Sequence, residues 1–461
     1  MLFTGEFLQQ NFSKSEGKLK SNMEIRQVMT DSRQFSANSL FIPIVGERFD
    51  GHQFLAQAIE NGAVAVLWDE KHKIPEAYLE KVSFFIVEDT LKAMKHLAHA
   101  YRQLVSPIVI GITGSNGKTT TKDLVYATLH QAYRSHKTEG NFNNEIGLPL
   151  TILSMPRDTE VLILEMGMNH FHEIERLSKL SQPDYAIITN IGESHIEYLG
   201  SREGIAKAKL EIKTGLKESG NLLIDGDESL LQKEKNEENT VGIGFLDDND
   251  VVLSNANLKD RATHFQYGAT AFQVPLLGKH HAKNAAFAIW LAYKLSVTDE
   301  QIQQGLQELA YTSMRFEWLE GKHQSTLIND AYNASYTSMK AAIDVLKDLK
   351  GFSKKVVVLG DILELGEFEE QMHKQIGTLI HSPITHLFTT GDAASAITKS
   401  TKANGEEVKS KHFTERLALS EAIERELEPG TIVLFKASRG MHFEQFVEAC
   451  REMPEQEKEE H

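Results

Sequence analysis

The chain has 461 residues, of which 41% are hydrophobic and 25% charged, and its formal net charge is −16. A chain this acidic lacks the basic surface that sequence-independent binding to nucleic acid requires. Its one cysteine, Cys450, excludes an internal disulfide and a cysteine-rich zinc site. The N-terminus lacks the basic and apolar regions of a signal peptide, and no apolar run approaches the roughly 18 residues of a membrane span. We therefore expect a cytoplasmic protein in which Cys450 has a packing role.

The length predicts three domains, at about 100–200 residues each. A helical pattern over residues 89–105, followed by Pro107, places the first boundary near residue 105. Beyond it, apolar runs alternate with helical stretches, which predicts a parallel sheet with helices on its faces. Residues 251–277 predict a small antiparallel sheet, and the second boundary falls near Met314. A Rossmann-like, doubly wound unit follows. We predict an α/β protein with domains 1–105 (small α/β), 106–314 (P-loop-type parallel sheet) and 315–461.

The strands of this fold are predicted from short apolar runs between turn residues. The predicted strands are 161–166, 185–189 and 222–224 in the second domain, and 326–328, 355–359, 386–389 and 431–435 in the third. A helix is predicted over 282–295, and the acidic residues 454–461 are expected to be a frayed tail.

Residues 107–123 read P-I-V-I-G-I-T-G-S-N-G-K-T-T-T-K-D, which is an apolar strand, a glycine turn and a helix that begins with Lys-Thr. Gly114 and Gly117 permit a tight turn whose backbone N–H groups point at an anion, and the helix dipole adds positive potential. Lys118 can reach the β- and γ-phosphates, and the Thr119 hydroxyl can hold Mg²⁺. The spacing departs from the Walker pattern and is better written T-G-x-x-G-K-T-T. The alternative is a structural glycine turn without a ligand. We predict a nucleoside-triphosphate site formed by Thr113, Gly114, Ser115, Asn116, Gly117, Lys118 and Thr119.

Two further candidates follow neighbouring strands. Glu165 ends the strand V-L-I-L-E-M, and His195 lies in the loop after the next strand. Alone, each is weak evidence, because a single loop histidine is usually solvated. The strand ends should converge on the side of the sheet where α/β folds bind ligands. A carboxylate and a neutral imidazole there could form a second metal site.

The segment R-E-G-I-A-K-A-K-L-E-I-K places Lys207, Lys209 and Lys213 on one short helical stretch. From the residues alone, the simplest interpretation is a solvated basic face.

The loop T-G-S-N-G-K-T-T resembles the signature of the Mur ligase family, whose members use ATP to activate a carboxylate and join it to an amine. The family includes the amino-acid-adding enzymes of cell-wall synthesis and folylpolyglutamate synthase. The segment that begins at His195, H-I-E-Y-L-G-S-R-E-G-I-A-K-A-K-L-E-I, is similar to the family segment whose second lysine is carbamylated. The resemblance implies ATP and two Mg²⁺ ions, a carbamylated lysine at Lys209, and metal ligation by Thr119, Glu165, His195 and Lys209.

Other family segments imply contacts to the nucleotide and substrate. E-G-N-F-N-N-E-I-G-L-P-L-T resembles a segment that lines the cleft and includes Asn143 and Asn144, although Asn and Gly favour turns anyway. L-L-G-K-H-H-A-K-N-A-A-F-A resembles a family pattern in which Asn284 is a nucleotide-side contact, but His281 stands where Asn is usual.

At the second boundary, M-R-F-E-W and I-N-D-A-Y-N-A-S-Y-T-S-M resemble family segments that reach across from the C-terminal domain. Arg315 and Asp330 match residues that contact the phosphates and ribose, and Asn333 matches an adenine contact. Tyr336 replaces a common Pro, which leaves that turn's conformation open. A cation supplied by another domain would complete the charge clamp only after closure.

The N-terminal segment M-T-D-S-R-Q-F-S-A-N-S-L-F-I-P-I-V-G-E-R-F-D-G-H resembles the uridine-diphosphate-sugar domain of the third and fourth amino-acid-adding enzymes. It implies diphosphate contacts by Ser32 and Arg33, with Arg48, Asp50 and His52 as further candidates. Folylpolyglutamate synthase binds no nucleotide sugar, so this segment argues against it.

The C-terminal segments distinguish the third from the fourth amino-acid-adding enzyme. The D-N-P-R motif of many third enzymes is absent, and L-G-D-I-L-E-L-G-E-F-E-E-Q-M-H and F-K-A-S-R-G-M-H-F-E resemble the branch that adds D-alanyl-D-alanine. The implied reaction joins this dipeptide to UDP-N-acetylmuramoyl-tripeptide through an acyl phosphate, in peptidoglycan synthesis, with Arg439 as a candidate for the dipeptide carboxylate. We expect a monomer. The alternatives are a third-residue-adding ligase and, less favoured, a folylpolyglutamate synthase-like ligase.

Two readings from other functional classes stay open at this point. A P-loop kinase or switch ATPase would leave the N-terminal domain unexplained. A nucleotide-sugar-binding regulatory protein would not need Lys118, Glu165, His195 and Lys209 together.

Overall fold

A computed structural model describes residues 1–18, 22–46, 49–310, 312–403, 405 and 407–452. The predicted α/β fold is confirmed. Three mixed, mainly parallel sheets follow one another along the chain, and a two-stranded antiparallel ribbon accompanies the first. The predicted acidic tail lies outside the described residues. No helix among the described residues is long and apolar enough to cross a membrane.

The first sheet has the strand order β2-β7-β6-β5-β4, in which only the pairing of β2 with β7 is antiparallel, while β1 and β3 form the ribbon. Its strands are β1 (Phe3–Thr4), β2 (Ser15–Gly17), β3 (Glu24–Ile25), β4 (Gln27–Met29), β5 (Ser39–Phe41), β6 (Ala63–Asp69) and β7 (Ser83–Val87). The helices are α1 (Gly5–Asn11), α2 (Leu55–Glu60) and α3 (Thr90–Val105). Helix α3 has the predicted position and ends at Ser106 in a left-handed conformation, with φ +53°.

The second sheet has nine strands in the order β16-β15-β14-β13-β12-β11-β8-β10-β9. They are β8 (Ile108–Thr113), β9 (Ser135–Lys137), β10 (Val161–Glu165), β11 (Tyr185–Ile188), β12 (Asn221–Asp225), β13 (Thr240–Gly244), β14 (Val251–Lys259), β15 (Ala262–Tyr267) and β16 (Thr270–Val274). Residues 251–277 do form antiparallel strands, but not a separate sheet. Strand β14 pairs in parallel with β13 and so continues the larger sheet.

Helices cover this second sheet. They are α4 (Lys118–Leu129), α5 (Gly147–Ser154), α6 (Glu173–Ser181), α7 (Ile196–Leu199), α8 (Arg202–Leu210), α9 (Lys279–Lys294) and α10 (Asp299–Gln307). The registers align Glu165 with Ile112 and Ile188 with Thr113, so β8, β10 and β11 end side by side. The loops that follow these strands therefore meet at one edge of the sheet.

The third sheet has the order β17-β18-β22-β19-β20-β21 and is parallel except at β17. Its strands are β17 (Glu317–Gly321), β18 (Ser325–Asn329), β19 (Lys354–Leu359), β20 (His386–Thr390), β21 (Lys409–Phe413) and β22 (Thr431–Lys436), and its helices are α11 (Tyr336–Asp348), α12 (Glu369–Thr378), α13 (Ser395–Ala403), α14 (Arg416–Glu424) and α15 (Glu444–Cys450). The four predicted strands are present, and β17 and β21 were not predicted. Cys450 is buried in this domain's core, as expected, and burial raises the pKa of its thiol to about 12.

Helix α10 packs against α4, the helix that follows the phosphate loop, at Gly305. A Cβ at Gly305 would lie 2.8 Å from the Ala127 carbonyl carbon and closer still to its oxygen, so this contact excludes a side chain. Overpacking costs about 1–3 kcal/mol, against up to about 1 kcal/mol that Ala gains over Gly in a helix. We expect Gly305→Ala to lower the midpoint of thermal unfolding, and Gln307→Ala, an exposed position on the same helix, to leave it unchanged. An equal or higher midpoint for Gly305→Ala would show that the helices separate without cost.

Candidate active site

The loop after β8 has the backbone that the sequence predicts. Gly114 and Gly117 have φ of +151° and +80°, and a Cβ on Gly114 would overlap the hydroxyl of Thr189. That hydroxyl donates to the Asn116 carbonyl at 2.6 Å, and Asn190 Oδ1 accepts from the Asn116 N–H at 2.9 Å. The segment after β11 therefore fixes the loop's shape. These roles of Thr189 and Asn190 were not predicted from the sequence.

Several buried polar side chains at or beside the loop have no hydrogen-bond partner among the described residues. Lys118 Nζ donates a hydrogen bond to the Gly114 carbonyl at 2.9 Å. Burial lowers the pKa of Lys118 and so does Arg315, while Glu165 opposes them. Other buried polar atoms at or beside the loop have no partner among the described residues: Thr113 Oγ1, Ser115 Oγ, Asn116 Nδ2, His281 Nδ1 and Arg315 Nε. Buried polar groups are nearly always satisfied, so this cluster is suited to binding a polar ligand.

The Thr119 hydroxyl connects three parts of the molecule. It donates to Glu165 Oε2 at 2.9 Å and accepts from Arg315 Nη2 at 3.0 Å. Glu165 is buried, and its other oxygen accepts from Asn143 Nδ2 at 2.9 Å. The Arg315 guanidinium also lies 4.1 Å from the centre of the Tyr332 ring. The structure thus brings Thr119, Glu165 and Arg315 together as predicted.

Asp330 and Asn333 reach the same place from the C-terminal domain. Asp330 Oδ2 accepts from Lys436 Nζ at 2.6 Å, and Lys436 also donates to the Asn333 carbonyl at 3.1 Å. Lys436 is buried at the end of β22. It was not singled out from the sequence, although it stands in the quoted F-K-A-S-R-G segment.

These groups border one cleft of about 440 Å³ between the second and third sheets. The predicted residues along it are Ser115, Asn116, Gly117, Lys118, Thr119, Asn143, Asn144, Glu165, His195, Asn284, Arg315, Asp330 and Asn333. Thr113, Gly114 and Lys209 do not border it, whereas the other residues predicted in the central domain and at the second boundary share this cavity.

Asn144 and Asn284 have different surroundings in this cleft. Asn144 Oδ1 accepts from the N–H groups of Ile146 and Gly147, which is the turn chemistry that the alternative interpretation proposed. Asn284 is buried on α9, with its amide against Gly117. His281, one turn earlier, is buried too, and burial and the neighbouring His280 hold its pKa well below the usual range.

His195 lies at the boundary between two cavities. It borders the main cleft and a smaller one of about 180 Å³ beside the C-terminal domain. Its Nδ1 lies 2.6 Å from Glu364 Oε2. This contact lowers the pKa of Glu364, although the ring N–H is poorly aligned with the oxygen. Glu364 was not identified from the sequence.

Lys209 is 2% exposed and has no hydrogen-bond or ion-pair partner among the described residues. Burial holds the pKa of its amine well below the usual range, and Lys118 adds to the effect. Lys209 does not border the cleft. The other two lysines of this segment have different surroundings. Lys213 pairs with Glu234 and Glu237, and the Lys207 amine lies 5.8 Å from the centre of the Phe171 ring.

The N-terminal candidates lie away from the cleft. Ser32 is buried and donates to Gln57 Oε1 at 2.8 Å. Arg33 forms a bidentate pair with Asp31, with its side chain 79% exposed. The structure places neither residue on the cavity with the phosphate loop.

Asp50 and His52 contact each other. Asp50 lies 2.7 Å from His52 Nδ1 and 2.8 Å from His72 Nε2. Among the described residues, they are the one group of three His, Cys, Asp or Glu side chains whose ligand atoms all lie within 4.8 Å of one another. However, the Asp69 N–H points at His52 Nε2, so the His52 proton is on Nδ1 and faces Asp50. The cluster is a hydrogen-bonded triad. Arg48 lies outside the described residues.

Arg439 borders the smaller cavity, not the main cleft. Its side chain is 54% exposed, 3.5 Å from Glu444 Oε2 and 3.1 Å from Met314 Sδ. Arg439, predicted to bind the dipeptide carboxylate, therefore already has the acidic side chain of Glu444 beside it.

Family comparisons cover most of the chain. Residues 24–102 match the Mur ligase family catalytic domain, 112–292 the Mur ligase middle domain, and 314–439 the Mur ligase glutamate ligase domain.

Relatives and solved structures agree with these matches. The chain is 48% identical over 435 residues to the UDP-N-acetylmuramoyl-tripeptide--D-alanyl-D-alanine ligase of Bacillus subtilis, with 93% of this chain and 94% of that protein covered. The Escherichia coli ligase of the same name is 31% identical, with 94% and 95% covered. MurF from Acinetobacter baumannii has a TM-score of 0.84 at 31% identity and 97% and 98% coverage, and MurF from Thermotoga maritima in complex with ADP has 0.80 at 29%, covering 92% and 96%. The chain belongs to the Mur ligase family.

Proposed function

We propose that the protein is an ATP-dependent, ADP-forming ligase that joins D-alanyl-D-alanine to UDP-N-acetylmuramoyl-tripeptide in peptidoglycan synthesis. The observation that carries this proposal is the Thr119 hydroxyl, shared by Glu165 and Arg315 at the mouth of a phosphate-binding loop. The relatives named above carry this activity in their names, at up to 48% identity over nearly the whole chain. The N-terminal match, 24–102, disfavours a simple kinase or switch ATPase.

The reaction needs a carboxylate made electrophilic. Transfer of the γ-phosphoryl group to the tripeptide's terminal carboxylate forms an acyl phosphate. The dipeptide amine then attacks its carbonyl carbon, and the C–O bond to phosphate breaks, leaving an amide. Lys118 and Arg315 both border the cleft beside Thr119 and would hold the transferring group by charge. The N–H groups of the loop would bind the remaining phosphates.

The donor groups fit Mg²⁺ at the loop. The Thr119 hydroxyl and the Glu165 carboxylate are oxygen donors 2.9 Å apart, and Mg²⁺ prefers such ligands. These two residues would hold one ion, and His195 with a carbamylated Lys209 would hold a second, alongside Glu165. Bound Mg²⁺ would neutralise charge that builds up on the phosphoryl oxygens.

Carbamylation of Lys209 has a physical basis. A neutral amine must attack CO₂, forming an N–C bond and releasing a proton to solvent, and burial keeps this amine neutral. The product is an anion, which the Lys118 ammonium group would attract.

The remaining assignments rest on the family resemblance. We propose boundaries near residues 105 and 314, with Ser32 and Arg33 as UDP contacts and Arg439 as a contact to the dipeptide carboxylate. A cytoplasmic location stays a prediction.

Product analysis tests the function. Purified protein with ATP, D-alanyl-D-alanine and UDP-N-acetylmuramoyl-tripeptide, carrying either lysine or diaminopimelate as third residue, should yield UDP-N-acetylmuramoyl-pentapeptide, ADP and phosphate in equal amounts. Reactions without dipeptide should yield no pentapeptide. ADP without an amide, or amide formation with single amino acids only, contradicts the proposal.

We expect Lys118→Ala to lower kcat by at least about 100-fold, because it removes a cation from the transferring phosphoryl group. Binding of the UDP substrate, measured by calorimetry, should persist because the predicted contacts of that substrate, Ser32 and Arg33, do not border the cleft. Lys217→Ala, which removes an amine on the protein surface paired with Asp184, is the control. Retention of a tenth of kcat, a loss of only about 1.4 kcal/mol, contradicts the assigned role.

Arg315→Ala should lower turnover by about 100-fold, since the Thr119 contact and the charge on the phosphates are both lost. Asp330→Ala should act similarly by removing the carboxylate that pairs with the Lys436 ammonium group. The exposed Arg425→Ala is the matched control. Small-angle scattering with a non-hydrolysable ATP analogue should show less compaction for both cleft variants than for wild type. Full activity with wild-type compaction excludes an inter-domain clamp.

Lys209→Ala should be nearly inactive and partly rescued by small carboxylic acids, which can occupy the position of the carbamate. Lys207→Ala and Lys213→Ala should stay active because their amines face Phe171 and surface glutamates. Wild type equilibrated with ¹³C-bicarbonate should show a carbamate resonance that Lys209→Ala lacks. An active enzyme without this resonance refutes the modification.

A further inference from the structure

The segment L-E-L-G-E, residues 363–367, has no role in the reaction described so far. It follows β19 in the C-terminal domain, yet Glu364 Oε2 lies 2.6 Å from Nδ1 of His195, which follows β11 in the central domain. The backbones meet as well, since the Glu197 N–H donates to the Glu364 carbonyl at 3.2 Å. The contact between the two domains therefore includes both backbone and side chain.

Both partners are held in an unfavourable backbone conformation. Glu364 and His195 have φ of +60° and +66°, a region that non-glycine residues rarely occupy. Such residues persist where the surroundings determine them, often at functional sites. The backbone next to Glu364 is also held in place, because the Leu363 N–H donates to Ser438 Oγ at 2.9 Å. These contacts hold the loop so that the Glu364 carboxylate lies beside His195.

A carboxylate beside Nδ1 decides which nitrogen of the ring is available. An ionised carboxylate only accepts hydrogen bonds, so Nδ1 carries a proton, and the neutral ring then keeps its lone pair on Nε2. Histidines that bind metals almost always donate their other N–H to such a group. The Nδ1–H is not yet well aligned with Glu364, and hydrogen bonds of this kind commonly tighten in the substrate complex.

We propose that Glu364 is a positioning residue, brought by the C-terminal domain to His195 on closure, that fixes the tautomer and orientation of the imidazole with Nε2 free to bind a divalent cation. This proposal rests on the proposed function, because it takes His195 as a metal ligand. It links cation affinity to domain closure, so that the second cation is held firmly only when the domains meet.

The test uses Mn²⁺ as the probe, with the full chain and a non-hydrolysable ATP analogue, and measures bound Mn²⁺ by electron paramagnetic resonance. Glu364→Asn tolerates the left-handed backbone but is too short to reach His195. Glu364→Gln keeps an acceptor oxygen, and Glu367→Asn, exposed in the same segment, is the matched control. We expect Glu364→Asn to weaken Mn²⁺ binding and lower kcat by about 10-fold, with KM for ATP unchanged. Glu364→Gln should recover part of both, and Glu367→Asn should match wild type.

Small-angle scattering separates positioning from a mechanical latch. The Glu364→Asn protein should compact with the ATP analogue as wild type does, and loss of compaction would overturn the proposal in favour of a latch. Wild-type Mn²⁺ affinity in Glu364→Asn would also overturn it. The Mn²⁺ measurement needs no turnover, so its failure is distinguishable from failure of the proposed function, which wild-type product analysis decides.

Discussion

The rest of the active site depends on the hydrogen-bonding capacity of one hydroxyl. Thr119 Oγ1 donates to Glu165 and accepts from Arg315, and each of these partners belongs to a different structural unit. Thr119 lies in the first turn of the helix after the phosphate loop, Glu165 ends the adjacent strand, and Arg315 comes from the boundary with the C-terminal domain. A cation bound by Thr119 and Glu165 would lie beside Arg315, so occupation of the loop and the position of the C-terminal domain are linked.

An acidic chain must bind a highly anionic substrate pair, and it does so with local positive charge. Lys118, Arg315 and Lys436 lie around one cleft, and the backbone N–H groups of the loop add to them. The pairing of Lys436 with Asp330 keeps one buried cation compensated. The donors at the loop that have no partner among the described residues can bind acceptor oxygens such as those of a phosphate. Net charge of −16 therefore says little about the field inside the cleft.

Several contacts join the central and C-terminal domains around this cleft. Besides Arg315, the Thr337 hydroxyl and N–H donate to the Glu193 carboxylate, and Ser335 Oγ donates to Asn116 Oδ1 at 3.1 Å. Each contact involves a residue within the phosphate loop or the loops beside it. Domain closure and the geometry of the loop are therefore parts of one arrangement, which suits a reaction whose acyl phosphate must be protected from water.

Local sequence patterns determined the phosphate loop, the strand that ends in Glu165, helix α3 and strands β11, β12, β18, β19, β20 and β22, because glycine turns and hydrophobic periodicity act over a few residues. Edge strands β17 and β21 were not recognisable, since K-S-K-H-F has mostly polar, partly exposed side chains. Only the tertiary structure could reveal Lys436, which pairs with Asp330 across 106 positions, and Glu364, which meets His195 from another domain. Their side chains carry no local signature. Their roles arise because parallel strands from two sheets end at a common cleft, and that convergence is a property of the packed domains.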